Sequence, residues 1–179
     1  TTMNIITGYL QATSGSVKVN GHDIEDEPDL VKNSIGYLPE IPPLYTDMRV
    51  KEYLTFVAEL KRVKKSERKQ MVQEIIQMIG LQDVENRLIQ HLSKGYKQRV
   101  GLAGAIMGYP ELIILDEPTA GLDPKQRTIL RKLTENLGKS KIVIVSTHII
   151  SDIESIADEI LMLRSGILIA HGSVDTLVA

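Results

Sequence analysis

Residues 112–123 read Leu112-Ile113-Ile114-Leu115-Asp116-Glu117-Pro118-Thr119-Ala120-Gly121-Leu122-Asp123. Four aliphatic residues run into two adjacent acids, and Pro118 and Gly121 then interrupt the chain. A short unbroken apolar run bounded by breakers reads as a strand buried on both faces of a parallel sheet. Acids at its carboxyl end stand at the edge where open α/β sheets bind ligands. Burying two like charges together is costly, so a compensating positive group is expected, and a magnesium ion held with a nucleotide is the foremost candidate. The plain alternative is a strand ending in a solvated acidic turn, since Asp and Pro are common turn residues.

The bulk properties narrow the field. A chain of 179 residues is long enough for one domain with a sizeable core. At 42% apolar and 25% charged it has an ordinary globular composition. No apolar run approaches the roughly 18 residues of a membrane span, and no signal peptide is visible. The absence of cysteine excludes disulfides and thiolate metal sites. A net charge of −2 argues against nucleic acid as a partner.

Outward from the central stretch, the remaining elements can be read in order. Met3, Ile6 and Leu10 fit a short helix already under way at the first residue, which suggests upstream sequence. Ser14–Ile24 alternates around Asn20-Gly21, a hairpin signal. Ile35–Leu38 reads as a strand, followed by a loop extended by Pro39, Pro42 and Pro43. From Arg49 to about Ile79 two helical stripes are predicted, Val50/Tyr53/Leu54/Val57/Leu60 and Met71/Ile75/Ile76/Ile79, with Gly80 closing the second. The basic run Lys61–Lys69 between them reads as a solvated face. A helix capped by Ser93 extends to about Gly108, and an amphipathic helix spans Lys125–Leu137. Lys141–His148 reads as another buried strand ending in Ser146-Thr147-His148. A helix over Ser151–Ala157 and a hairpin around Ser165-Gly166 complete the pattern.

Four stretches then fall in a telling order. Leu92-Ser93-Lys94-Gly95-Tyr96 resembles the ABC signature motif, and Leu112–Glu117 resembles a Walker B strand with its catalytic acid. Ala120-Gly121-Leu122-Asp123 resembles the D-loop, and His148 the switch histidine. Over essentially its whole length the chain resembles the nucleotide-binding domain of ABC-type ATPases. Gly36–Glu40 and Ser93–Tyr96 look most like the ATPase subunits of bacterial exporters of the ABC-2 type.

The resemblance implies an α/β fold: a RecA-like P-loop NTPase core with a mostly parallel sheet, residues 1–44 and 109–179, and an inserted helical subdomain, 45–108. It implies ATP and Mg2+ as ligands. Asp116 would hold magnesium through water, Glu117 would act as general base, and His148 would contact the γ-phosphate. Ser93, Lys94 and Gly95 would close over the nucleotide of a second nucleotide-binding domain, in a homodimer, with Asp123 at the seam. A transmembrane permease subunit would be the other partner, placing the chain on the cytoplasmic face of the membrane, and export would be driven by ATP-dependent dimerisation.

Three departures accompany the resemblance. The phosphate loop G-x-x-x-x-G-K-[ST] does not occur in the sequence. Thr1 and Thr2 stand where relatives have the residues just after its lysine, so the chain is expected to be N-terminally truncated, before or within that motif, and the 179 residues alone are expected to be inactive. Thr1 would be either the magnesium-ligating hydroxyl or the α-phosphate contact one position on. The usual glutamine of the loop after the Ile35–Leu38 strand is Glu40, which can hold magnesium but when ionised cannot donate a hydrogen bond. Lys94 and Tyr96 replace a glycine and a glutamine of the signature. Two other readings stay open at this stage: a non-transport ABC ATPase acting on ribosomes or DNA, and a non-catalytic fragment.

Overall fold

The computed structural model describes residues 2–178, and the chain falls into two compact units, residues 1–146 and 147–179. Thr1, expected as a ligand, lies outside the described residues. The first unit is built on a three-stranded parallel sheet in the order β3 (Ile35–Leu38), β4 (Leu112–Asp116), β5 (Ile142–Ser146). Its register pairs Tyr37 with Ile114 and Asp116 with Ser146.

Strand β4 is buried on both faces, and its alternation divides the core. Ile113 and Leu115 belong to a large apolar cluster with the helical layer; Leu112 and Ile114 belong to a smaller one with Val19, Val31 and Ile35. The smaller cluster is closed by α1 (Thr2–Ile6), through Met3 and Ile6, and by α2 (Pro28–Ser34), through Val31. Between α1 and α2, strands β1 (Lys18–Val19) and β2 (His22–Asp23) form the expected hairpin. Its two loop residues, Asn20 and Gly21, have φ of 53° and 84°, as a type I′ turn requires.

The larger cluster packs α3 (Val50–Leu60), α4 (Lys65–Ile79), α5 (Lys94–Ala105) and α6 (Pro124–Gly138) against the sheet. The first amides of α3 are satisfied from outside the helix: Val50 and Lys51 donate to the carbonyls of Arg87 and Glu85. Helix α4 ends at Gly80, whose φ of 71° is a left-handed cap. The buried Arg99 of α5 donates to the Gly80 carbonyl at 2.8 Å while its guanidinium stacks 4.0 Å from the Tyr96 ring centre. One cation thus closes the end of α4 and ties it to α5.

Several expectations are corrected. Leu60 is 64% exposed and leaves the α3 stripe, because the helix ends there; Val72 joins the α4 stripe instead. The basic run is not uniformly solvated. Lys61 is half-buried, donates to the Ile35 carbonyl at 3.3 Å, and has its ammonium pKa lowered by that burial. Arg68 donates to the Val63 carbonyl and pairs with Glu59. Strand β5 is only partly buried, with Ile142 67% exposed, because it is the edge strand of the described sheet.

In the second unit, Ser151–Ala157 is not a helix. A 3-10 turn over Ile150–Asp152 passes into separate turns. Serine, aspartate and β-branched isoleucine are weak helix formers, and a stretch this short does not repay nucleation. Strands β6 (Ile160–Arg164) and β7 (Ile167–Gly172) form the predicted hairpin, with Ser165 and Gly166 at φ of 50° and 79°, and α7 (Val174–Val178) follows. Among the described residues no helix is long and apolar enough to cross a membrane.

The tightest joint between sheet and helical layer is at Gly36. A Cβ there would lie 2.3 Å from the Ala105 carbonyl oxygen and 2.9 Å from Pro110 Cγ. The obstructing atoms are backbone and ring, so they cannot rotate aside. Gly36→Ala is therefore expected to lower unfolding stability by about 1–3 kcal/mol in urea titrations; an unchanged midpoint would contradict this packing.

Candidate functional site

Asp116 and Glu117 stand where β4 leaves the sheet. Asp116 lies on the Ile114 side of the strand, the face that α1 closes. Its Oδ1 accepts a short hydrogen bond from the Ser146 hydroxyl on β5. Its Oδ2 lies 3.4 Å from the Tyr37 hydroxyl on β3. The same phenol is 3.4 Å from Asn4 Oδ1 on α1, and its ring rests against Tyr9 with centres 5.7 Å apart. Burial, and then the Asp116 charge, raise the Tyr37 pKa above the usual tyrosine value, so the phenol stays protonated and able to donate.

At Glu117 the backbone turns sharply, with φ of 45° in a non-glycine residue. Its amide donates to the Ser146 carbonyl at 3.0 Å and lies 3.2 Å from the Ser146 hydroxyl. The ladder of β4 and β5 thus continues one residue past Asp116 before the chain bends. The turn is then fixed by Ala120 N–H to the Glu117 carbonyl and Leu122 N–H to the Thr119 carbonyl.

Asp123 caps α6: its Oδ1 accepts from the Gln126 amide at 2.9 Å, and Pro124 occupies the first helical position. Ser93 caps α5 through the Tyr96 amide at 3.4 Å. Both side chains therefore have the structural role that their sequence positions permit.

The signature-like segment and the 117–123 loop touch. A Cβ on Gly121 would lie 2.4 Å from Lys94 Nζ, and one on Gly95 would lie 2.5 Å from Gln126 Oε1. The α5 terminus thus touches the loop carrying Glu117 through Lys94–Gly121 and the first turn of α6 through Gly95–Gln126. Thr2 and Glu40 are exposed, on α1 and on the loop after β3. His148, two residues beyond β5 and exposed, belongs to the second unit.

The donor set suits magnesium better than a metal that needs a protein cage. Among the described residues no three His, Cys, Asp or Glu side chains converge. Asp116 instead offers hard carboxylate oxygens with hydroxyl neighbours, and magnesium is ordinarily held by one or two carboxylates, retained waters and substrate phosphates.

Comparison with known proteins supplies the family. Residues 1–120 match the family model described as ABC transporter. The chain belongs to the ABC transporter family. It is 34% identical to an uncharacterized ABC transporter ATP-binding protein, YxlF, of Bacillus subtilis, and 33% identical to the bacitracin transport ATP-binding protein BcrA of Bacillus licheniformis. Each match covers 99% of this chain, which spans 58% of the length of either relative. Among solved structures, an ATP-binding cassette captured as a dimer after hydrolysis, bound to ADP and Pi, superposes with a TM-score of 0.84 at 25% identity, covering 97% of this chain and 79% of that one. The fold is that of ABC ATPase subunits, a P-loop NTPase fold with a parallel sheet.

Tyr37 and Ser146 were not singled out by sequence. The signal was strand parity: both stand at strand positions that alternate to the Asp116 face, and Ser146 opens a polar triplet.

Gly121 carries a φ of 65° as well as the Lys94 contact. Gly121→Ala is expected to destabilise the first unit by roughly 1–2 kcal/mol, mostly through backbone strain. Adding Lys94→Ala should restore only the smaller, steric share. Full recovery in thermal melts of the double variant would show that Lys94, not the backbone, sets the requirement for glycine.

Proposed function

We propose that the full-length protein binds and hydrolyses ATP and couples hydrolysis to export through a separate membrane subunit. The observation that carries the reading is the pair Asp116-Glu117 at the carboxyl edge of β4, one acid held between two strands and the next turned out of the sheet by its left-handed backbone. The geometry suits two different tasks for two adjacent carboxylates.

Asp116 is the residue to hold magnesium, through water. Bound there with the nucleotide, the ion would neutralise phosphate charge and orient the terminal phosphoryl group. Glu117 accepts the proton of the attacking water as its oxygen bonds to the γ-phosphorus, while the bond to the β-phosphate oxygen breaks and ADP leaves. Thr1 or Thr2 and Glu40 are the candidates for further contacts to the metal and phosphates, and His148 for the γ-phosphate. No phosphate-loop motif lies within the 179 residues, so these residues by themselves are proposed to be inactive.

We further assign Ser93, Lys94 and Gly95 to the nucleotide of a second copy, with Asp123 at the seam. Support comes from the exposed N-terminus of α5, where free amides favour phosphate. The dimeric state of the superposed ATP-binding cassette is consistent with this. The division into a core (1–44, 109–179) and a helical subdomain (45–108) belongs to the same reading, with the loop at Glu40–Tyr45 facing the membrane subunit on the cytoplasmic side. Transport as the coupled task is favoured by the relatives' names, BcrA being a bacitracin transport protein.

Glu117→Gln in the full-length protein is expected to reduce ATP turnover by about 100-fold or more, the range of general-base contributions, while retaining ATP binding. Size-exclusion chromatography with ATP should then show an accumulated dimer. Turnover equal to wild type would remove Glu117 from the role of base.

A further inference from the structure

Asp116 is approached from both sides by hydroxyl groups that the ATPase reading does not use. Ser146, opposite it in register on β5, donates to Oδ1. Tyr37, two pairing positions back on β3, is 3.4 Å from Oδ2. The phenol has one proton to give, and a carboxylate is a stronger acceptor than the Asn4 amide oxygen. Rotation of the Asn4 amide lets its NH2 face the phenolic oxygen instead, so all three groups are satisfied together.

Ser146 does more than hold one oxygen. Its hydroxyl lies 3.2 Å from the Glu117 amide and donates onward to Asp116. A single side chain therefore joins the backbone of one acid to the carboxylate of the other. The Ser146 carbonyl accepts from the same amide at 3.0 Å, so the link is doubled on the backbone.

We propose that Tyr37 and Ser146 are positioning residues for Asp116: two hydroxyls, one from each neighbouring strand, fix the carboxylate plane that receives the metal, and Ser146 locks that plane to the backbone of Glu117. The proposal rests on the reading of Asp116 as the magnesium-holding acid. Residues that orient a metal-holding carboxylate without touching the metal characteristically alter metal affinity by one to two orders of magnitude. Because β3 also leads within two residues to Glu40, and Tyr37 touches α1, the carboxylate is tied to two segments proposed to meet the nucleotide.

The test uses the full-length protein with Mn2+ as probe. Electron paramagnetic resonance titrations with a non-hydrolysable ATP analogue give the Mn2+ dissociation constant, and fluorescence titration of the analogue in chelator gives metal-free nucleotide affinity. Ser146→Ala is expected to weaken Mn2+ by about ten-fold. Tyr37→Phe, which keeps the ring against Tyr9, is expected to weaken it by a smaller factor. Metal-free nucleotide affinity should be unchanged in both, and Ser146→Thr, which retains a hydroxyl, should stay near wild type. Folded variants with wild-type Mn2+ affinity would overturn the assignment of the two hydroxyls while leaving the nucleotide reading standing. Loss of metal-free nucleotide binding in parallel with Mn2+ binding would also overturn it, since that marks general distortion. Should Ser146→Ala not fold, Tyr37→Phe alone decides, because it deletes one oxygen at a partly exposed position. Wild-type protein that binds no Mn2+–nucleotide would instead sink the reading of Asp116 itself.

Discussion

The parallel register of three short strands brings Tyr37, Asp116 and Ser146 to one edge, and a carboxylate is held there between two hydroxyls. A carboxylate at the end of a strand buried on both faces gives up much of its hydration. It is tolerated because each oxygen meets a donor, and because the strand end opens toward solvent. The acid-bearing turn after it is shaped by the same contacts: the Glu117 amide is fixed to Ser146 before the backbone enters its left-handed bend. Shifting β5 by one residue would turn the Ser146 side chain to the opposite face and remove both links.

Holding that register falls to the two apolar layers. On one face α1, α2 and the β1–β2 hairpin enclose Leu112 and Ile114; on the other the helical layer encloses Ile113 and Leu115. The helical side approaches so closely that Gly36 and Gly101 leave no room for a side chain: a Cβ on Gly101 would sit 2.7 Å from both Leu38 and Pro42. Helix α5 is thereby pressed onto β3 and the proline-rich loop at one place, while its N-terminus meets the 117–123 loop at another. One helix therefore packs at once against the proline-rich loop after β3 and against the loop that carries Glu117.

Much of this was legible in the chain. The run from Leu112 to Glu117 announced both the buried strand and the acids at its end, and Asn20-Gly21 announced a hairpin, because those signals are local and chemically specific. Helix α2 went unread: it is seven residues long, and its only marker was Pro28 in the first turn. At Ser151–Ala157, conversely, an acidic start suggests a helix that weak formers do not sustain. Lys61 and Arg68 looked like solvent residues, since charge alone does not reveal which backbone carbonyls tertiary packing will present to them. Tyr37 and Ser146 stayed hidden because their role depends on register between strands far apart in sequence.

In the proposed reading, the Asp116 edge receives the metal of a bound nucleotide. The most direct measurement is anomalous diffraction from crystals of the full-length protein grown with Mn2+ and a non-hydrolysable ATP analogue. A manganese peak about 4 Å from the Asp116 carboxylate, the separation set by one bridging water, with the phosphates beside it, is the predicted result. A manganese–nucleotide complex bound elsewhere on the protein, with Asp116 making contact only with Tyr37 and Ser146, would contradict it.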